Sequence, residues 1–292
     1  MNYIDRRGFF RQALVGAGLL AVPWARAQEK TPPAGTPQFR ADDRVILGRT
    51  GITTSRMAVG SGTHGWQKSS NQTKLGMENF VGMIRHGYDR GLTLWDMADM
   101  YGSHPYFREA LKFVPREKVT VLTKVWTRDA VGVKQDLERF RSEIGTDTID
   151  ILLLHCLTDN DWPGKMKATM DVVSEAREKG LVRSYGVSCH SMGALSAAVE
   201  SPWPEVILER INHTGASMDD TPAKVVPLLK KGHDKGKVIL GMKIAGVGEL
   251  AGQIDRSLHF MFSQGFVDAF TMGFETIPQM DQVFGKIEAV RV

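Results

Sequence analysis

Residues 149–156 read Ile149-Asp150-Ile151-Leu152-Leu153-Leu154-His155-Cys156. An almost unbroken apolar run of this length suits a strand buried on both faces, and an ionisable residue stands at its end. Working outward, similar short runs occur at Met57–Val59, Thr93–Trp95, Val119–Lys124, Tyr185–Ser188, Val206–Ile211, Val238–Met242 and Val267–Met272. With Ile149–Leu154 they make eight. Between them lie segments of helical spacing such as Gly132–Ile144 and Lys165–Lys179, the latter with Met166, Met170, Val173 and Ala176 at three- and four-residue steps. Apolar strands alternating with helices imply a parallel sheet covered on its outer side. Eight such units predict closure into a single-domain (β/α)8 TIM barrel, which uses about 250 residues. In a barrel the functional groups sit at the C-terminal strand ends. Asp96 follows the second run, Lys124 ends the third, His155 ends the fourth, and Ser188 and Cys189 end the fifth.

The barrel is expected over residues 44–292. Before it, residues 28–43 (QEKTPPAGTPQFRADD) have the composition of a flexible linker. Residues 1–27 read as a twin-arginine signal peptide: Arg6-Arg7-Gly8-Phe9-Phe10, an apolar run from Ala13 to Val22, then Ala25-Arg26-Ala27 at a cleavage-site spacing. The apolar run is too short to cross a bilayer about 30 Å thick, so no stable membrane anchor is expected. Export to the periplasm through the twin-arginine translocation machinery is the expectation. The formal charge of +4 includes a net +3 from this leader, leaving +1 for the remainder, which argues against nucleic-acid binding. Two cysteines, Cys156 and Cys189, form no disulfide framework. If the fourth and fifth strands are neighbours, the two lie one residue past corresponding strand ends. A single bridge and two free thiols both remain open.

Asp96-Met97-Ala98-Asp99-Met100-Tyr101-Gly102-Ser103 resembles the aldo-keto reductase signature, with an aspartate five positions before a tyrosine. Leu47-Gly48-Arg49-Thr50-Gly51 and Gly60-Ser61-Gly62-Thr63 are similar to that family's opening hairpin and first strand end. Thr123-Lys124-Val125, Asp150–His155 and Gly186-Val187-Ser188 resemble its third, fourth and fifth strands. The resemblance implies reduction of an aldehyde or ketone, with Tyr101 as proton donor and Asp96, Lys124 and His155 as its partners. A free phenol, with a pKa near 10, is a weak acid at neutral pH. A nearby ammonium favours the phenolate, so Lys124, balanced by Asp96, is expected to strengthen it. His155 is expected to direct a donor at the carbonyl oxygen.

The resemblance further implies a nicotinamide cofactor, NADP(H) by family habit, near Gly62, Thr63, Ser188, Cys189, Met242, Thr276 and Gln279. Several of these positions depart from the family pattern. Ser188-Cys189 stands where Ser-Asn is usual, Glu209 falls in the strand that commonly carries a glutamine, and Met242 replaces an aromatic residue. Residues 273–282 (GFETIPQMDQ) contain no Lys or Arg to grip a 2′-phosphate, though backbone amides at Thr276 to Gln279 offer an anion site. NAD(H) therefore stays open. So does a barrel that no longer catalyses and serves as a periplasmic redox sensor or a partner-dependent protein. A metal hydrolase fits poorly, since no His-x-His pair lies on the first strand, and no metal is expected. Specificity is expected from loops Gly65–Lys74, Leu157–Gly164 and Asn212–Thr221, with Trp66, Trp126 and Trp162 as apolar pocket walls for a small carbonyl substrate. A monomer is expected.

Overall fold

A hairpin closes the floor of the molecule. Strands β1 (Arg44–Ile46) and β2 (Thr53–Ser55) pair antiparallel, joined through a turn in which the Leu47 amide donates to the Ile52 carbonyl at 2.9 Å. Gly48, at φ +48°, makes this turn. A side chain there would meet the Val238 side chain at 2.9 Å. The structure, a computed structural model, describes residues 38–292. The expected twin-arginine leader, residues 1–27, and residues 28–37 of the expected linker lie outside the described residues. Residues 38–43, expected to be linker, belong to the barrel instead. Ala41 is buried, Phe39 stacks on Phe262 with ring centroids 4.3 Å apart, and the Asp43 carboxylate pairs with Arg56. Polar composition hid two apolar side chains that the barrel floor covers.

The barrel strands are β3 (Met57–Gly60), β4 (Leu94–Asp96), β5 (Thr120–Val125), β6 (Ile149–Leu157), β7 (Val182–Cys189), β8 (Val206–Arg210), β9 (Val238–Met242) and β10 (Ala269–Gly273). Each pairs in parallel with the next, and β10 returns to β3, so the barrel is closed in sequence order. Both strand faces are buried, which accounts for the unbroken apolar runs. One face packs a lumen of Ala58, Leu94, Leu122, Ile151, Leu153, Val206, Leu208, Val238, Leu240 and Ala269, plugged from below by Leu47 and Ile52 of the hairpin. The other face meets the helices, through side chains such as Val121, Leu152, Leu154, Val187 and Ile207.

The outer ring comprises α1 (Met77–Asp89), α2 (His104–Ala110), α3 (Ala130–Ile144), α4 (Trp162–Lys165), α5 (Lys167–Glu178), α6 (Met192–Glu200), α7 (Pro222–Asp234), α8 (Ile254–Ser263) and α9 (Ile277–Ala289). Among the described residues no helix is long and apolar enough to cross a membrane. Helix α3 shows how local chemistry sets the boundaries. The Asp129 side chain accepts from the Gly132 amide at 2.8 Å to start it, and Gly145 at φ +77° ends it.

β6 departs furthest from its expected end. β6 runs on to Leu157 through a bulge between Leu154 and Leu157, where Cys156 takes φ +56°. The bulge swings Cys156 out of the ladder, and Leu157 rather than Cys156 pairs with Cys189. Both cysteines are free thiols in this structure, so the bridge is not formed.

Candidate active site

Side chains alternate across a strand, so the lumen face can be followed upward from the core. Two residues beyond Ala58, Leu94, Leu122, Leu153, Leu208 and Leu240 stand Gly60, Asp96, Lys124, His155, Arg210 and Met242. On β7, Gly186 is level with Leu153, and the next inward residue is Ser188. The top layer at the C-terminal mouth is therefore polar on one side and small or apolar on the other. Arg210 is a member that the sequence reading passed over. Counting two residues on from Leu208 would have found it.

Asp96 and Lys124 form a buried ion pair, and the Lys124 ammonium also donates to the Met97 carbonyl at 3.0 Å. The 3₁₀ turn Asp99–Tyr101 carries the tyrosine above them. Its anchor is Asp99, which pairs with Lys68 and accepts from Arg139 at 2.7 Å. Burial works against the Asp99 carboxylate, but the hydrogen bonds from Arg139 and Lys68 prevail and hold it below its usual range. Asp99, His104 and Glu143 bring ligand-type atoms within 4.8 Å of one another. That cluster is already neutralised by Arg139 and Lys68, and His104 is engaged by Glu143 at 2.7 Å and Thr123 at 2.8 Å.

Two glycines seat the Tyr101 ring. A Cβ on Gly62 would lie 2.4 Å from ring atoms Cε2 and Cζ, and one on Gly65 would lie 2.2 Å from Cδ1. Gly62, expected to serve the cofactor, thus makes room for the tyrosine, and Gly65 is a further residue the sequence reading missed. Thr63 is tied down by Gln72, which accepts from its amide at 3.0 Å and also reaches the Phe274 carbonyl.

The phenol oxygen lies 3.3 Å from His155 Nε2, and the Lys124 ammonium lies 4.9 Å from the phenol ring centroid. Burial, with the Asp96 and Cys156 charges behind it, pushes the Tyr101 phenol well above 10. The Lys124 ammonium is itself paired with Asp96. Tyr101 is fully protonated at neutral pH. His155 is held well below 6.5 by burial and then by Lys124, His190, Arg128 and Lys243, so it is a neutral imidazole.

Beyond His155 the rim becomes a polar network. His190 faces His155 with centroids 6.5 Å apart, and Arg210 donates to its Nδ1 at 2.5 Å. A guanidinium only donates, so His190 carries its proton on Nε2. Burial and the neighbouring cations Arg210, Lys243 and Lys124 lower it to about 3. Arg210 also pairs with Asp219 at 2.6 Å. Behind the rim, Glu209 is buried, and burial together with Asp219 pushes its carboxyl well above 4.5.

Four of the expected residues are engaged within the protein itself. Cys189 follows inward-facing Ser188 and packs in the core cluster that the helices cover. Trp162 is buried in α4, donates its indole N–H to the Ala194 carbonyl at 3.2 Å and meets Trp203 edge-on. The loop that carries it winds into a helical turn, which draws it into the outer layer and away from the pocket. At the start of α9, Thr276 Oγ1 accepts from the Gln279 amide at 3.3 Å, and Gln279 Oε1 accepts from the Glu275 amide at 2.9 Å. Pro278 has no N–H. Of the amides at Thr276 to Gln279, that of Gln279 is taken by the Thr276 side chain, and Gln279 in turn takes the Glu275 amide just before them. Trp66 and Trp126 do stand together, edge to face at 5.1 Å, with Trp126 5.7 Å from His155. Met242 lies in the top lumen layer, as expected.

Residues 56–282 match the model of the aldo/keto reductase family. The chain belongs to the aldo/keto reductase family. It is similar to the methylglyoxal reductase YeaE of Escherichia coli, 33% identical over 138 residues that make up 45% of each chain. It is also similar to an NADH-specific methylglyoxal reductase of the same organism, 30% identical over 168 residues, 50% of this chain and 51% of that one. The matched part spans about half the length of these relatives. In three dimensions it resembles the aldo-keto reductase AKR11C1 of Bacillus halodurans in its holo form, with a TM-score of 0.71 at 16% identity over 86% of this chain and 92% of that one. At that identity the likeness speaks for the fold alone. As a family member the chain has the closed eight-stranded (β/α)8 barrel.

Proposed function

We propose that the protein reduces an aldehyde or ketone to an alcohol, with Tyr101 as the general acid. The observation that carries this reading is the Tyr101 hydroxyl 3.3 Å from neutral His155 Nε2, above the buried Lys124–Asp96 pair, at the barrel mouth. A carbonyl oxygen placed between phenol and imidazole receives two aligned donors. Reduced nicotinamide, when bound, supplies the hydride to the carbonyl carbon. The Tyr101 proton goes to the oxygen, completing the C–OH group. Lys124 and Asp96 hold the phenol from below, and the ammonium 4.9 Å away stabilises the phenolate left behind. Trp66 and Trp126 wall the substrate and exclude water. Tyr101→Phe is expected to abolish turnover while leaving dinucleotide affinity within about threefold. Activity that survives this change overturns the role.

The residues present fit a nicotinamide. Ser188 Oγ is buried without a protein partner at the top of β7, where a carboxamide would supply one, and Met242 offers a thioether for the ring. NAD(H) fits better than NADP(H). Residues 273–282 bring no cation, and their Glu275 adds a negative charge that disfavours a 2′-phosphate. Separate titrations with NADH and NADPH test this, and tighter NADPH binding refutes it. A non-catalytic sensing barrel is favoured by one feature, the self-capped start of α9. Protein isolated without any bound or bindable dinucleotide would support that second reading.

The leader Arg6–Ala27 supports export through the twin-arginine machinery to the periplasm. Replacing Arg6 and Arg7 with Lys is expected to retain the protein inside the cell. Export that continues undiminished refutes this assignment.

A further inference from the structure

Among the described residues, five of the seven buried polar atoms without a hydrogen-bond partner fall at the ends of β6, β7 and β8 and in the following loop. They are His155 Nδ1, Ser188 Oγ, Glu209 Oε2, Arg210 Nε and Asp219 Oδ2. One proton shared between Glu209 and Asp219 satisfies the two carboxyl oxygens. The other three atoms remain, in a mouth that is also short of negative charge. Arg128 lies over the Trp126 ring at 5.2 Å and donates to the His155 carbonyl at 2.5 Å, and no carboxylate pairs with it among the described residues. Lys243 follows Met242, which pairs with Arg210 across the β8–β9 ladder. Its backbone is pinned at φ +55°, and Asn212 donates to its carbonyl at 3.2 Å. Its half-buried ammonium likewise has no acid partner among the described residues. Arg128 donates to the carbonyls of His155 and Cys156, and Lys243 leaves β9 beside Arg210, which holds the His190 ring that faces His155, so both cations belong to the rim around His155. Partly desolvating a cation without a counter-charge is costly, and a site that does so twice is completed by an anion.

We propose that the mouth is built for a carbonyl compound bearing a carboxylate, an oxo acid, with Lys243 and Arg128 as its counter-charges. This rests on the reductase reading for its chemistry but not for its binding. The carbonyl is seated at Tyr101 and His155, and the carboxylate lies toward Arg128 and Lys243, beside Cys156. The reaction balances as before: a hydride adds to carbon, the Tyr101 proton to oxygen, and the carboxylate is unchanged.

The test compares 4-carboxybenzaldehyde with its methyl ester on the full protein with NADH. The ester has the more electrophilic aldehyde, so a preference for the acid must come from binding. One charged hydrogen bond contributes about 1.5–3 kcal/mol, or roughly ten- to a hundredfold. The acid is expected to win in kcat/KM by at least about tenfold. Lys243→Met and Arg128→Met are each expected to reduce that ratio about tenfold. A ratio at or below one in the unaltered protein, or one that neither change moves, overturns the proposal. Calorimetry with 4-(hydroxymethyl)benzoate and its methyl ester supplies a readout free of turnover. The acid should bind more tightly, less so after Lys243→Met, and equally well with saturating NADH. If NADH displaces the acid, the cations serve the cofactor and the proposal fails. If the acid binds but neither aldehyde is reduced, the reductase reading fails and the anion site stands.

Discussion

The seat of the Tyr101 ring offers a sensitive perturbation, because it depends on the absence of one atom. A Cβ on Gly65 would lie 2.2 Å from Tyr101 Cδ1, whereas ordinary contact begins at 3.4 Å. The ring must therefore retreat by more than 1 Å in Gly65→Ala. Gly62, against Cε2 and Cζ, leaves it little room to do so without moving the loop. Such a shift breaks the 3.3 Å approach of the phenol oxygen to His155. Misplacing a catalytic group by about 1 Å costs on the order of a hundredfold in rate, or about 2.7 kcal/mol of barrier. Gly65→Ala should thus lower kcat about a hundredfold, with dinucleotide affinity changed by less than about threefold. Gly82→Ala is the control. Gly82 lies within α1 with open space around it, so alanine there should add about 0.5–1 kcal/mol of stability and leave kcat alone. Steady-state kinetics with a small aldehyde, together with urea unfolding of both variants, decides the matter. If Gly65→Ala turns over within threefold of the parent, the ring is not held by its glycine seat.

Lys124→Met strands the buried Asp96 carboxylate and should cost about 3–5 kcal/mol in urea unfolding, whereas Asp96→Leu/Lys124→Met should recover most of that stability but no activity. Glu209 has its folded pKa raised above an unfolded value near 4.5, so its contribution is complete below that pH and is lost as pH rises toward the folded value. Glu209→Gln should therefore gain stability relative to the parent as pH increases from 5 to 8, and a constant difference would refute the assignment. His190 runs the other way: its folded pKa of about 3 lies below the unfolded 6.5, so stability falls as pH drops through that window, and His190→Gln should flatten the decline. Trp162→Ala should cost about 3–5 kcal/mol without altering the choice among aldehydes, whereas Trp126→Ala should raise KM; a specificity change in the Trp162 variant would return that residue to the pocket.

The barrel was legible because both faces of its strands are buried, so each strand is an apolar run, and β4 to β8 bring polar residues to the rim. Strand ends were less legible. The third strand, expected at Val119–Lys124, is Thr120–Val125, and the last, expected at Val267–Met272, is Ala269–Gly273. Residues just outside a ladder are as apolar as those within it, so the pattern cannot set the first paired residue. The bulge at Cys156 had no signature at all, since a lone positive φ at a non-glycine residue follows from the barrel's closure and not from its neighbours in the chain.

Site residues divide along the same physical line. Asp96, Lys124 and His155 lie on strands, where position along the chain fixes direction, and all three face the mouth. The alternation that turns Ser188 inward and Cys189 outward also turns Arg210 inward, so a rule already in use would have admitted Arg210. Trp162, Thr276 and Gln279 lie in loops or at a helix start, where direction is set by which hydrogen bonds the backbone finds. The Ala194 carbonyl takes the Trp162 indole, and Gln279 takes the Glu275 amide. Arg128 and Lys243 were silent for another reason. Each is an ordinary cation by sequence, and its meaning comes from a missing counter-charge that appears only once β6, β8 and β9 bring His155, Arg210 and Met242 to one rim. An unpaired charge is a property of a neighbourhood, and no reading of single residues along the chain contains it.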